Sequence, residues 1–199
     1  MSKLHKDTPL AKAVFSFIQE LSEIAEETHG DLPKGSIRAF IFGGCAVHIY
    51  TNVRGSADLD VELDAAKELK VNELILDLED WLYETDDGTK QVLTWDNTFN
   101  PAIPDLHPDW KESSIPLHVG DEVIHIYLVS AVDVAVSKLG RCTSDDVNDI
   151  ISLYKSGRFT KNEFKERCEE ALKYTPTYPR LKSNVDYAIS VLDEINDKV

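Results

Sequence analysis

The chain is short of everything that would make it a membrane, secreted or nucleic-acid-coating protein. Lys and Arg together number 21 against 36 Asp and Glu, giving a formal net charge of −15 over 199 residues. That balance argues against a broad grip on nucleic acid, which draws on cations that neutralise phosphates. No apolar run approaches the ~20 residues of a membrane helix. The opening Met1-Ser-Lys-Leu-His-Lys-Asp7 has no apolar stretch of the signal-peptide kind. Three cysteines, Cys45, Cys142 and Cys168, are too few and too scattered for a disulfide framework or a zinc pattern. A cytoplasmic protein without membrane contact is expected. Neither repeats nor low-complexity tracts interrupt it, and 42% hydrophobic against 29% charged residues fits a folded chain with one good core.

The richest stretch is Phe40-Ile-Phe-Gly-Gly-Cys-Ala-Val-His-Ile-Tyr-Thr-Asn-Val-Arg-Gly-Ser-Ala-Asp-Leu-Asp-Val-Glu62. It predicts a strand over 37–42, a glycine turn, a short helix over 44–51 and a second strand over 57–63. On that strand Asp58 and Asp60 share a face, with Leu59, Val61 and Leu63 on the other. Paired carboxylates on a rigid strand repel unless a cation joins them, and a hard divalent ion such as Mg²⁺ suits oxygen ligands. The bland reading is a solvated face, because Glu62 and Asp64 continue it. Gly43 and Gly44 let backbone amides approach phosphates at a helix start, or simply turn the chain. Arg54 suits bidentate phosphate contact or a surface ion pair, and Ser56 phosphate contact or a turn cap.

Elsewhere, helical periodicity predicts a helix over 8–29 opened by Thr8-Pro9 and closed by Gly30, with Leu10, Val14, Phe15, Ile18, Leu21 and Ile24 on its core side. A second helix is expected over 66–84, and a turn at 86–88. A strand follows over 91–96, then a long loop over 97–114 with Pro101, Pro104 and Pro108. A hairpin spans 115–119 and 122–129. Four helices follow, over 131–140, 144–156, 161–173 and 179–197, with a capping box at Thr160-x-x-Glu163. The expected fold class is α+β: a small mixed β-sheet with flanking helices over 1–129, followed by a helical C-terminal region over 130–199.

Lys138, eight residues past Ser130, either counters phosphate charge or is a solvated lysine. Asp146, in Thr143-x-x-Asp146, either supports a helix start or, with Asp149 on the same face, positions Lys138 or a nucleophile. Asp96 is the candidate third carboxylate, with His125 on another strand as a rival. His48, His107 and His118 show no metal spacing, and Trp81, Trp95 and Trp110 are read as anchors before base-stackers.

The run Gly43-Gly44, Arg54-x-Ser56-x-Asp58-Leu59-Asp60, with Lys138 and then Asp146 and Asp149 following in order, resembles the nucleotidyltransferase superfamily related to DNA polymerase beta. Its AbiEii-like and MenT-like toxin branch is the nearest in pattern, over roughly residues 36–155. That resemblance implies transfer of a nucleoside monophosphate from a nucleoside triphosphate to a hydroxyl. It implies two Mg²⁺ ions held by Asp58 and Asp60, and catalytic roles for Asp58, Asp60, Lys138 and Asp146. Gly43, Gly44, Arg54 and Ser56 would hold the nucleotide. A cognate antitoxin and a tRNA acceptor are the implied partners of a toxin–antitoxin or phage-defence system. An antibiotic-type small-molecule transferase and a non-catalytic nucleotide-binding module are the alternatives. Cys45 stands where many members of the superfamily carry a serine, so backbone amides or the thiol would replace that hydroxyl.

Overall fold

The computed structural model describes residues 3–101, 104–175 and 179–196. Helix α1 (Pro9–His29) opens as its sequence demands: the Thr8 hydroxyl accepts from the Ala11 amide, Pro9 takes the first turn, and Gly30 closes it at φ 76°. Leu10, Val14, Ile18 and Leu21 are buried, and Phe17 joins them, while Phe15 and Ile24 are only partly covered. Strand β1 (Ile37–Ile41) runs into α2 (Gly43–Thr51).

The expected carboxylate strand is two strands. β2 (Asp58–Leu59) and β3 (Val61–Ala65) are separated at Asp60, where the chain leaves one sheet for another. β3 pairs with β1 antiparallel from Ile41↔Val61 onward, whereas β2 pairs in parallel with β5 (Lys90–Trp95) at Asp58↔Thr94.

The helix expected over 66–84 does not form. Those residues make short 3₁₀ turns, a single turn α3 (Val71–Leu74) and a strand β4 (Trp81–Glu84). Lys70 sits at φ 45°, which stops a continuous helix. The leucine spacing that suggested one loses to hairpin pairing: β4 pairs antiparallel with β5 across the turn containing Gly88. Trp81 and Tyr83 then face inward, with Trp81 stacked on Phe17 at 6.0 Å, and Leu82 is left exposed.

After the loop over 97–114, β6 (Ile115–His118) and β7 (Ile124–Leu128) form the expected hairpin. β7 lies parallel to β1, giving a mixed sheet of order β3-β1-β7-β6 beside a smaller one of order β2-β5-β4. Helices α4 (Ala131–Ser137), α5 (Ser144–Lys155), α6 (Lys161–Tyr174) and α7 (Pro179–Asn196) complete the chain. Residue 197, the expected end of the last helix, lies outside the described residues. The α+β architecture with a helical C-terminal half is thus as expected. Buried apolar side chains from α1, β1, α2 and α4 to α7 belong to one cluster.

The long loop is pinned from the helical side. Arg167 on α6 pairs with Asp109, reaches the Ser113 hydroxyl at 3.3 Å, and approaches the fully buried Asp133 at 3.7 Å. Arg167→Ala removes all three at once and leaves the buried Asp133 carboxylate bonded to the Ser130 hydroxyl. We expect a loss of about 1–3 kcal/mol in urea unfolding.

Candidate functional site

The turn after β1 exists because two residues lack side chains. Gly43 adopts φ 58°, and a Cβ on it would overlap the Asp60 carboxylate oxygen Oδ2. A Cβ on Gly44 would lie 2.6 Å from the Ser56 hydroxyl. The start of α2 therefore touches Asp60 and Ser56 directly, with no side chain between. Phe42 donates its amide to the Asp60 carbonyl at 2.9 Å, fixing that approach.

The segment 52–58 is fastened to α2. His48 is buried, with Nδ1 2.7 Å from the Arg54 carbonyl and Nε2 2.8 Å from the Thr8 hydroxyl, so it is a packed structural histidine. The Ser56 hydroxyl donates to the Asp58 carbonyl at 2.9 Å, and Cys45 Sγ reaches the same oxygen at 3.4 Å. Cys45 is wholly buried, and burial, with Asp60 adding to it, pushes its thiol up to about 12. It supports the turn from beneath and does not reach the surface where a ligand would bind. Of the two replacements considered for the missing serine, the backbone amides remain.

Asp96 comes to the site through the parallel pairing of β2 with β5. The Thr94 amide donates to the Ala57 carbonyl at 2.8 Å and the Asp96 amide to the Leu59 carbonyl at 3.1 Å. Asp96 Oδ1 accepts from the Thr98 amide at 2.8 Å and the Thr98 hydroxyl at 2.6 Å. Those bonds, helped by a hydrogen bond from Asp60, outweigh burial and hold the Asp96 carboxyl below the usual range. Asp60 goes the other way. Burial pushes its carboxyl up to about 6, with Asp96 and Asp58 adding to the rise and Lys138 and Arg141 opposing it. Burial and the neighbouring carboxylate both disfavour ionisation of Asp60. His125, the rival, is elsewhere: its Nε2 lies 3.1 Å from the Gly120 carbonyl.

The cations arrive from the helical half on a carboxylate frame. Lys138, at the end of α4, is nearly buried, with Nζ 3.0 Å from Asp149 and 3.6 Å from Asp146. Asp149 also takes Arg54 through two 2.7 Å bonds, from Nε to Oδ1 and from Nη2 to Oδ2. Asp146 closes a capping box with Thr143 and accepts from Arg141 at 3.0 Å. Arg141 and Thr143 overcome its burial and hold its carboxyl below the usual range. Asp146 thus caps the helix and lies against Lys138 through the one side chain. Arg54, read as a phosphate contact or an ion pair, has its bidentate face on Asp149.

One cleft of about 360 Å³ gathers Gly43, Asp60, Asp96, Lys138 and Arg141, with Phe99 on its wall. Asp58 is exposed and lies outside that lining, although Asp60 feels its charge. Arg141 and Phe99 were missed as site residues; the Asp96-x-Thr98 turn was the signal that the strand end presents a fixed carboxylate. Among the described residues no three His, Cys, Asp or Glu side chains are drawn together closely enough to hold a metal ion as they stand. What fits a cation is the Asp60–Asp96 pair, in which burial, with the charge of Asp96 adding to it, disfavours the ionised form of Asp60.

A family model described as a nucleotidyltransferase of unknown function (DUF6036) matches residues 12–189. Among solved structures, the chain is similar to an antigenic nucleotidyltransferase-like protein from Paracoccidioides brasiliensis. That match has 13% identity and a TM-score of 0.44, and covers 90% of this chain and 94% of that one. A search of curated proteins found no match.

Two stability predictions follow from the charge arrangement. Asp149→Ala strips the main partner from the buried Lys138, and should cost about 3–5 kcal/mol in chemical denaturation. Asp60→Asn should act in the opposite direction. Its carboxyl is raised in the fold above the ordinary 3.8, so ionisation erodes stability as pH rises towards about 6. Above that pH, without added metal, the asparagine variant should melt a few degrees higher than the parent; an unchanged or lower melting temperature would contradict this.

Proposed function

The chain belongs to the DUF6036 family of nucleotidyltransferases, and on that premise we propose that it transfers a nucleoside monophosphate from a nucleoside triphosphate to a hydroxyl. The observation that carries the proposal is the Asp60–Asp96 carboxyl pair, facing Lys138 and Arg141 across one cleft floored by Gly43. Asp60 and Asp96, joined by Asp58, would hold Mg²⁺, which when bound supplies neutralisation of phosphate charge.

The rest of the chemistry falls to side chains and backbone. Amides at the start of α2, bared by Gly43 and Gly44, receive a phosphate. Lys138 and Arg141 counter the charge that builds on the departing pyrophosphate. Asp96, held by Thr98, takes the proton of the acceptor hydroxyl. The acceptor oxygen bonds to the α-phosphorus as the bond from that phosphorus to the bridging oxygen breaks, and pyrophosphate leaves with the electron pair. Arg54, Asp146 and Asp149 are positioning residues that aim Lys138 and Arg141. The Arg54-x-Ser56-x-Asp58-x-Asp60 resemblance to AbiEii-like and MenT-like enzymes supports a role as the toxin of a defence or toxin–antitoxin pair, with an antitoxin as partner.

The test is induced expression in a bacterial host, with nucleotides labelled at the α-phosphate offered to the lysates. Growth arrest and label transfer should both fall at least about a hundredfold in Asp60→Ala and Asp96→Ala, and transfer should stop when EDTA removes divalent ions. Transfer that survives Asp60→Ala would sink the assignment. Transfer with healthy growth would keep the chemistry and remove the toxin role.

A further inference from the structure

The outer strand of the smaller sheet is open on one side. β4 pairs with β5, and the sheet order β2-β5-β4 sets no described strand against its other edge. The Thr85 amide donates to the Thr89 carbonyl at 2.9 Å, and that bond fixes the parity of the ladder. Tyr83 and Trp81 bond to β5, so the amides and carbonyls of Leu82 and Glu84 point away from it, to the open edge. Open edges are ordinarily blunted by a lysine, a proline or a bulge. β4 has none of these. Near its centre is Leu82, 73% exposed, beside its cross-strand partner Val92, which is also exposed. Two clefts lie between this strand and α1, of about 340 Å³ and about 580 Å³, and Trp81 and Ser16 line both. The strand sits within Asp77-Leu-Glu-Asp-Trp-Leu-Tyr-Glu-Thr-Asp-Asp87, whose carboxylates are all exposed. Asp7, Glu20 and Glu23 add to them in the cleft linings, against Lys12 and a His118 that is itself paired with Glu122 at 2.8 Å.

We propose that the open edge of β4 is a docking site for an extended, basic-ended segment of a partner protein, which joins the smaller sheet as a further strand. This is independent of the nucleotidyl-transfer reading. The backbone of the segment takes up the amides and carbonyls of Leu82 and Glu84. Side chains of an added strand alternate between the two faces of the sheet. On the outer face they meet Leu82, which calls for aliphatic groups. On the inner face they meet Trp81 and the two clefts. Lys or Arg at one end of the segment meets Asp77, Glu79 and Asp80, and at the other end Glu84, Asp86 and Asp87. A second copy of this chain is the occupant that charge disfavours. β4 laid against β4, in either direction, sets one acidic run on another. That repulsion protects the edge from self-pairing without a lysine or proline in the strand, and it leaves the backbone groups free for a basic segment.

The test uses the full chain and synthetic peptides of about ten residues, the upper range of a strand. One has an alternating Val-Thr core with lysines at both ends. The second has the same core with glutamates at the ends, and the third has the lysines with a proline at the centre of the core. The lysine-ended peptide should bind in calorimetry, more weakly as salt rises, and the other two at least about tenfold more weakly. Binding should slow hydrogen exchange at the Leu82 and Glu84 amides, read by NMR. Leu82→Pro removes one outward amide and leaves the bonds to β5 in place, and should weaken binding at least about tenfold. Asp80→Lys with Asp86→Lys changes two exposed side chains and guards against misfolding of the proline variant. It should weaken the lysine-ended peptide and strengthen the glutamate-ended one. No binding of the lysine-ended peptide at ~1 mM overturns the proposal. Equal binding of the proline-broken peptide, or binding that leaves the Leu82 and Glu84 amides exchanging as before, overturns strand addition. A dimer in sedimentation that Leu82→Pro dissociates gives the edge to a second copy and overturns the basic partner.

Discussion

Asp149 holds the site together. Its carboxylate is almost wholly buried, takes the guanidinium of Arg54 in two parallel bonds and the ammonium of Lys138 in a third. Three separate pieces of chain meet on it: the segment between α2 and β2, the end of α4, and α5. A buried carboxylate without partners would be among the most costly features a protein could carry. With them, it fixes where Lys138 can be. Asp146 repeats the device one turn earlier, so α5 presents two carboxylates to three cations and leaves positive charge over for the cleft.

Much of this was legible in the sequence where it depended on local pattern. Thr8-Pro9 and Gly30 mark α1 without ambiguity, and the Gly43-Gly44 turn and the hairpin over 115–129 fall where turn chemistry puts them. Residues 66–84 were misread because their leucines recur at helical intervals, while the deciding facts are distant. Trp81 finds Phe17 on α1, and the strand finds β5 across Gly88. The split of the carboxylate strand at Asp60 was equally hidden, since it depends on which sheet each half joins.

The site shows the same division. Asp60, Lys138 and Asp146 could be named because the chain carries them in the order that the resemblance implies. That Arg54 would spend its bidentate face on a residue 95 positions away, and that Asp96 would come to Asp60 through β2–β5 pairing, required the fold. Cys45 was ambiguous for a different reason: a thiol after two glycines reads alike whether it faces a ligand or the core. Complete burial under the Asp58 carbonyl decides it.

Asp60 is the single residue between β2 of the smaller sheet and β3 of the larger, and Asp96 stands just past the end of β5, a strand of the smaller. The distance between these carboxylates is therefore a measure of the angle between two sheets. Anything that bridges them is a cross-brace in the molecule's frame as well as a ligand. The aperture of the cleft is accordingly set by how the two sheets lean on each other, so a packing change at Phe17 and Trp81, beneath the smaller sheet, reaches the carboxylates as a change of angle.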